Sequence, residues 1–407
     1  MLARHDGRVV LVAGAIPGER VRAHLEHARG GAVFARVDEV LVPSADRRPP
    51  PADPSCGGLS LAHIAYSRQL EIKREIIEDA LRRTGRLAPV TVPPPLASPE
   101  TGYRLRARLH CGDGVLGFYR EGTHKVCDPR ASGQLSDGTV ALVASAPSAL
   151  GPAALDSVDS VIVTETLDGD RRAVHVSATR PLRDVNRLAR TLMDRGASGV
   201  SVSVPDRAFR AVAGTAWVDD PLDTLGARGA AGRLRRHAHA FFQGNRFVLP
   251  DVVRAVVDAA AEAPIVDLYA GVGLFAVSLA ACGREPILAV EGGRAAFTDL
   301  VSNARDFPAI EARCDAVEDV LADTPPGPAA TCILDPPRTG LSAAVRRSLL
   351  SWAPRRLLYV SCDVATFARD LGDLVRGGYA LEDLRSFDFY PNTAHVELLA
   401  VLDRTVA

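Results

Sequence analysis

Lysine is nearly missing from this 407-residue chain: of 48 basic side chains only Lys73 and Lys125 are lysines. Arginine suits bidentate phosphate contacts and stacking on bases, but beside the many alanines the bias reads as the mark of a GC-rich genome. Long apolar runs are missing too. No stretch approaches the ~20 apolar residues that span a bilayer, so no membrane helix is expected. The start, MLARHDGR, carries no apolar signal segment. Cysteines are few and unpatterned: Cys56, Cys111, Cys127, Cys282, Cys314, Cys332 and Cys362, an odd number in a long chain. That speaks against a disulfide-stapled secreted scaffold and for reduced thiols in a cytoplasm. Internal repeats are absent.

What is present is the balance of an ordinary globular protein, 47% hydrophobic and 24% charged. The length allows two or three domains and a sizeable core. A net charge of −1 excludes a uniformly basic nucleic-acid binder. The average hides an asymmetry: residues 1–240 carry 33 basic and 27 acidic side chains, residues 241–407 only 15 and 22. The positive front half suits contact with a polyanion.

Residues 1–45 read as short strands and turns, a small β-barrel, and the Pro-rich RRPPPADP at 47–54 reads as a linker. Residues 65–83 contain no Gly or Pro, and Leu70, Ile72, Ile76, Ile77 and Leu81 recur at helical spacing. YRLRARLHCGDGVLGFYREGTHKVCD reads as a hairpin about a Gly-Asp-Gly turn. Residues 140–230 carry little signal. From Phe242 the pattern changes: short apolar runs at 265–269, 287–290, 331–334, 357–360 and 396–402 alternate with helical stretches. Such alternation predicts an α/β, doubly wound, mostly parallel sheet, whose ligands sit at the carboxyl ends of its strands. The expected units are a barrel at 1–45, a central α+β domain at 46–240 and the doubly wound domain at 241–407.

The chemistry-bearing residues fall at those strand ends. IVDLYAGVGLFAVSLA runs strand, turn, helix: Asp267 ends the strand, and Gly271 and Gly273 permit close backbone approach. One strand later, Glu291 in ILAVEGG can accept ribose hydroxyls. The third glycine of a dinucleotide fingerprint is missing, and Asp267 discourages a nearby pyrophosphate. A cationic sulfonium donor with an amino-acid tail fits better than NAD. Asp335 in ILDPPRTGLS projects rigidly after a buried strand and can bond a ring N–H. Arg338 stands where amino-group methyltransferases place a stacking aromatic. Cys362 ends the next strand just before a helix, which favours a thiolate; a lone cysteine is, however, more often inert. Glu397 sits in the apolar strand HVELLAVL, where a carboxylate must be paired, used as a base or turned to water.

The ordered set of donor loop, acidic ribose residue, DPPR, SCD and HVE resembles the RNA uracil-5-methyltransferase family, which makes 5-methyluridine in transfer RNA and bacterial 23S ribosomal RNA. The resemblance covers nearly the whole chain. HAFFQGN at 239–245 looks like the family's entry to its catalytic domain, GRVVLVAGAIPGERV like its TRAM barrel, and YRLRARL and LGFYREGTHKVCD like its RNA-contacting middle. It implies S-adenosylmethionine as cofactor, Cys362 as the nucleophile on uracil carbon 6, Glu397 as the base and Asp335 as the residue holding the uracil edge. Gln243, Tyr269, Glu291 and Asp315 match donor-holding positions. Arg104, Arg106 and Arg108 alternate on a strand and would line RNA phosphates.

The chain departs from the family in three places. Many members bind a four-iron cluster through four cysteines. Here Cys56 remains in SCGGL, Leu59 replaces its CGGC partner, and Gln134 stands at the late ligand; one thiolate cannot hold such a cluster, so none is expected. The barrel appears one strand short at its front, and SCD replaces SCN. The competing functions are an RNA cytosine-5-methyltransferase, which lacks support in a DPPR without cysteine, and a catalytically silent RNA-binding protein.

Overall fold

The computed structural model describes residues 1–151, 155–205, 210–260, 262–323 and 329–405. The first four strands, β1 (Leu2–His5), β2 (Arg8–Ala13), β3 (Arg20–Arg29) and β4 (Ala32–Val42), form one sheet in the order β1-β2-β4-β3. A strand does precede GRVV, and its amino-terminal Met1 donates to the Val12 carbonyl. No pairing joins β1 to β3, so the expected barrel is an open sheet.

Helix α1 (Tyr66–Arg83) occupies the stretch whose apolar residues recur at helical spacing. It then packs where sequence alone did not place it. Its buried Ile77 and Leu81 join the core of the C-terminal sheet rather than the central one.

The central sheet contains β5 (Arg106–Gly112), β6 (Val115–Gly117), β7 (Val158–Glu165), β8 (Arg172–Ala178), β9 (Gly199–Ser203) and β10 (Arg210–Gly214), ordered β10-β9-β8-β7-β5-β6. Strands β5 and β6 pair Gly112 with Val115 across Asp113 (φ 51°) and Gly114 (φ 73°). Two successive positive φ values define the tight hairpin turn that suits Asp-Gly. Helices α2 (Asp137–Leu150) and α3 (Val185–Asp194) cover this sheet's apolar face. A two-stranded ribbon, β11 (Trp217–Pro221) with β12 (Arg233–His237), leads into the last domain.

That domain is a seven-stranded sheet of β13 (Ile265–Leu268), β14 (Ile287–Val290), β15 (Ile310–Arg313), β16 (Thr331–Leu334), β17 (Arg356–Ser361), β18 (Tyr379–Phe387) and β19 (Glu397–Arg404). The order is β15-β14-β13-β16-β17-β19-β18, parallel except for β19. Its helices are α4 (Leu249–Ala259), α5 (Leu274–Ala281), α6 (Arg294–Asn303), α7 (Val317–Asp323), α8 (Ala343–Trp352) and α9 (Val364–Arg376). Both sheet faces are covered, so the inner strands are mostly apolar and alternate residues feed opposite cores. Ile265, Ile333 and Leu358 pack with α4 and α5. Val266, Leu334 and Leu357 pack with α1, α8 and α9. Each such side chain removed from water contributes about 1.5–3 kcal/mol. Strand order reverses between β13 and β16, which opens a crevice at their carboxyl ends. No described helix is long and apolar enough to cross a membrane.

Candidate active site

The turn after β13 forms one wall of the crevice. Tyr269 (φ 64°), Gly271 (φ 57°) and Gly273 (φ 90°) all lie in the left-handed region. The two glycines serve different ends. A Cβ on Gly271 meets nothing within 4 Å, whereas one on Gly273 would stand 2.8 Å from Leu300 Cδ1. Gly271 keeps the crevice open; Gly273 lets α5 lie against α6. Glu291, just past β14, accepts the Gly271 N–H at 2.8 Å and the Gly293 N–H at 2.5 Å. Asp267 is wholly buried beneath the turn. One of its oxygens accepts Ala276 N–H at 3.0 Å and the other has no partner. Burial pushes its carboxyl up to about 8.

The opposite wall comes from β16, β17 and β19. Asp335, directly after β16, accepts from Gln243 Nε2 at 3.2 Å. Enclosure in protein pushes Asp335 up to about 7 against that hydrogen bond. Glu397 opens β19 at 3% exposure. Burial, reinforced by the Asp335 charge, holds its carboxyl well above the carboxylate range, and Arg338 pulls the other way. Cys362, after β17, is half-buried. Burial and then the Glu397 charge push its thiol up to about 11, while Arg338 opposes this. Where the helix terminus favours a thiolate, burial and the Glu397 and Asp335 carboxyls push the other way. Asp363 explains why SCD is tolerated. Its Oδ1 accepts the Thr366 N–H at 2.9 Å and caps α9, a service asparagine performs equally well.

One cavity of about 680 Å³ joins both walls. It is lined by Gln243, Tyr269, Gly271 and Glu291 on one side and by Asp335, Cys362 and Glu397 on the other. Gln243 and the carboxyls of Glu291, Asp335 and Glu397 thus share with the Cys362 thiol a space large enough for a nucleotide-sized ligand and a base.

Along the chain, residues 328–405 match the sequence model of the tRNA (uracil-5-)methyltransferase family. A 23S rRNA (uracil(1939)-C(5))-methyltransferase of Alkalilimnicola ehrlichii is 33% identical, covering 99% of this chain and 93% of that one. The Bordetella parapertussis protein of the same name is 31% identical over 99% and 90%. The chain belongs to the RNA uracil-5-methyltransferase family. In fold, it is similar to the tRNA (uracil-54, C5)-methyltransferase of Pyrococcus abyssi solved with S-adenosyl-L-homocysteine, at TM-score 0.76 and 22% identity over 98% of this chain and 96% of that one. It is an S-adenosylmethionine-dependent enzyme, and the donor half of the cavity fits that molecule: the space over Gly271 is open and the Glu291 carboxylate faces it.

Several residues singled out in the sequence lie elsewhere. Gly273 does not line the cavity. Asp315 is exposed on the loop before α7, and Ala316, Val317 and Glu318 form that part of the wall instead. The three arginines do not present one free face. Arg104 precedes β5, donates to Gln134 Oε1 at 3.1 Å and lies over the Tyr390 ring at 4.8 Å. Arg106 donates to the Ala240 carbonyl at 3.0 Å, and burial lowers it to about 10. Only Arg108 is well exposed, and it pairs with Asp159 at 2.9 Å. Sequence reasoning missed Phe241, Phe275 and Tyr390 as lining residues, and did not count Arg338 as one. Phe241 is 68% exposed yet borders the cavity, so an aromatic stands at its mouth.

The family's iron–sulfur position is filled otherwise. Cys56 is disulfide-bonded to Cys127, which corrects the expectation that all thiols are reduced. Leu59 and Ala62 pack on the bridge. Gln134 donates to the Gly57 carbonyl at 2.9 Å and accepts from the Tyr103 hydroxyl at 3.0 Å. These residues do not fit a cluster that needs four thiolates.

Proposed function

We propose that this protein methylates carbon 5 of a uridine in structured RNA through a covalent cysteine adduct. The observation that carries the reading is the single cavity shared by the open Gly271 turn, Asp335, Cys362 and Glu397. S-adenosylmethionine, when bound against Gln243, Tyr269, Gly271 and Glu291, supplies an electrophilic methyl group. The chain's own residues make uracil able to accept it. Asp335, held by Gln243, bonds the polar edge of the ring and orients it. Cys362 gives up its proton to solvent and adds through sulfur to carbon 6, so the carbon 5–carbon 6 double bond becomes an enolate with its electron density at carbon 5. After carbon 5 gains the methyl group, ionised Glu397 removes the remaining proton there. Those electrons re-form the double bond and expel Cys362 as thiolate. The apolar walls exclude water, which strengthens each of these electrostatic contacts.

The uridine leaves its stack to enter the cavity, a cost of a few kcal/mol that is least in loops. The ribosomal function named for the relatives makes 23S rRNA the first RNA to test, with transfer RNA second. Incubation with methyl-labelled S-adenosylmethionine and each RNA, followed by digestion to nucleosides, tests the reading. Labelled 5-methyluridine is expected. Labelled 5-methylcytidine, or no label in any RNA, overturns it.

A further inference from the structure

One of the two lysines, Lys73, is enclosed in the fold. Lys73 and Asp388 are both fully buried, and their ammonium and carboxylate meet at 2.5 Å. The same ammonium donates to the Tyr390 carbonyl at 3.1 Å. In a chain whose other basic residues are nearly all arginine, retention of lysine at an enclosed site points to a need for a compact three-donor cation.

Lys73 does not act alone. Tyr66, Gln69 and Lys73 follow a three- and four-residue spacing and share one face of α1. Tyr66 donates to Asp388 at 2.8 Å. Gln69 and Asn392 exchange two hydrogen bonds, both at 3.0 Å. Asn392 sits at φ 65°, the left-handed conformation that asparagine tolerates. The next turns of the same helix anchor apolarly, through Ile77 and Leu81, in the core beside α9. The helix thus grips residues 388–392, and two features of the cavity depend on that segment. Tyr390 forms part of the wall, and five residues beyond Asn392 the chain enters β19 at Glu397.

We infer that Lys73 is a positioning residue for the methyl transfer, setting through Asp388 and the Tyr390 carbonyl where the Tyr390 ring and the Glu397 carboxyl stand in the cavity. This rests on the catalytic reading above. The donor wall built on β13 and β14 has no part in this grip; on the Gln243 side, Asn245 Nδ2 donates to the Phe389 carbonyl at 3.1 Å. A displacement of about 1 Å at reacting groups can lower a rate about 10²-fold.

The test uses full-length Lys73→Met, Lys73→Arg and Lys73→Met/Asp388→Asn proteins. Readouts are kcat, KM for S-adenosylmethionine, the pH profile of kcat and Tm. Lys73→Met leaves Asp388 buried and unpaired, so it tests folding as well as position. The double variant removes both charges, keeps an acceptor for Tyr66 and recovers Tm. It is expected to lose 10- to 100-fold in kcat, with an unchanged KM for S-adenosylmethionine and an acid limb of kcat displaced from the wild-type position, because the Tyr390 carbonyl still lacks its donor. Lys73→Arg is expected to fall at least 10-fold despite its charge. A double variant with kcat within 2-fold of wild type, or a fully active Lys73→Arg protein, overturns the proposal. Glu397→Gln in the same assays separates the two levels. If it is inactive while the Lys73 variants are normal, only the positioning role fails. If it is fully active, the catalytic reading fails and takes this role with it.

Discussion

The least expected property of the cavity is that burial pushes the proposed nucleophile, Cys362, toward its thiol form, and the consequence can be measured directly. With Cys362 at about 11, only ~10⁻³ of the sulfur is thiolate at pH 8, against roughly a quarter of a free cysteine near 8.5. The more basic thiolate is intrinsically about tenfold more nucleophilic. Alkylation of Cys362 by iodoacetamide at pH 8 should therefore run roughly 10- to 30-fold slower than that of an unstructured cysteine peptide, and rise about tenfold per pH unit toward pH 10. Peptide-resolved mass spectrometry separates Cys362 from the four other free cysteines. The sign of each contribution can be checked by substitution. Glu397→Gln removes the negative charge that raises the thiol, so the midpoint falls and alkylation at pH 8 speeds up. Arg338→Met removes the opposing cation, so the midpoint rises and alkylation slows. A wild-type midpoint at or below 8.5, or a Glu397→Gln midpoint that does not fall, refutes the electrostatic account of the cavity. With the thiol raised as expected, catalysis requires it to be activated once ligands are bound.

Cationic S-adenosylmethionine should lower the Cys362 midpoint in the same titration, while neutral S-adenosylhomocysteine should not; equal effects would remove charge as the cause. Asp335 and Glu397 both bind protons more tightly than ordinary carboxyls, so kcat/KM should rise with pH above the ordinary carboxylate range as Glu397 ionises. Asp335→Asn should lower kcat/KM at least 100-fold and move that limb to lower pH, because one charge opposing Glu397 is gone; an unmoved limb counts against the coupling. The two turn glycines should separate in their effects. Gly273→Ala meets Leu300 and should cost roughly 1–3 kcal/mol in thermal unfolding. Gly271→Ala enters open space and should chiefly raise the KM for S-adenosylmethionine. Loss of the Cys56–Cys127 bridge, which spans 71 residues, should lower stability by about 2–4 kcal/mol while methylation persists. Anaerobically purified protein should contain no stoichiometric iron or sulfide; finding both would overturn the reading of that site.

How far the sequence reached is clearest at particular elements. Helix α1 was legible because apolar residues recurred at helical spacing without a breaker. The buried parallel strands were legible because burial on both faces leaves a continuous apolar run. Strands β15 and β18 were not, for the opposite reason: IEAR is four residues with an exposed Glu311, and YALEDLRSF is an edge strand that mixes buried and exposed positions. The hairpin turn was legible because Asp-Gly states its own backbone geometry.

The chemistry divides in the same way. Residue type and order, with the family resemblance, pointed to Cys362, Glu397, Asp335 and the donor loop, and the fold brings them to one cavity because the carboxyl ends of the parallel strands meet the start of antiparallel β19 at one crevice. Energetics belonged to the fold. Whether Cys362 is thiol or thiolate depends on burial and on charges 24 to 35 residues away in sequence, at Arg338, Asp335 and Glu397, and no local pattern carries that sum. The same holds for Gly273, which serves helix packing, for Asp315, turned to solvent, and for the pairing of Cys56 with Cys127. It holds most for Lys73: composition showed that it was unusual, and only the tertiary structure supplied Asp388 and the Tyr390 carbonyl, more than 300 residues further along, as the groups it was kept to meet.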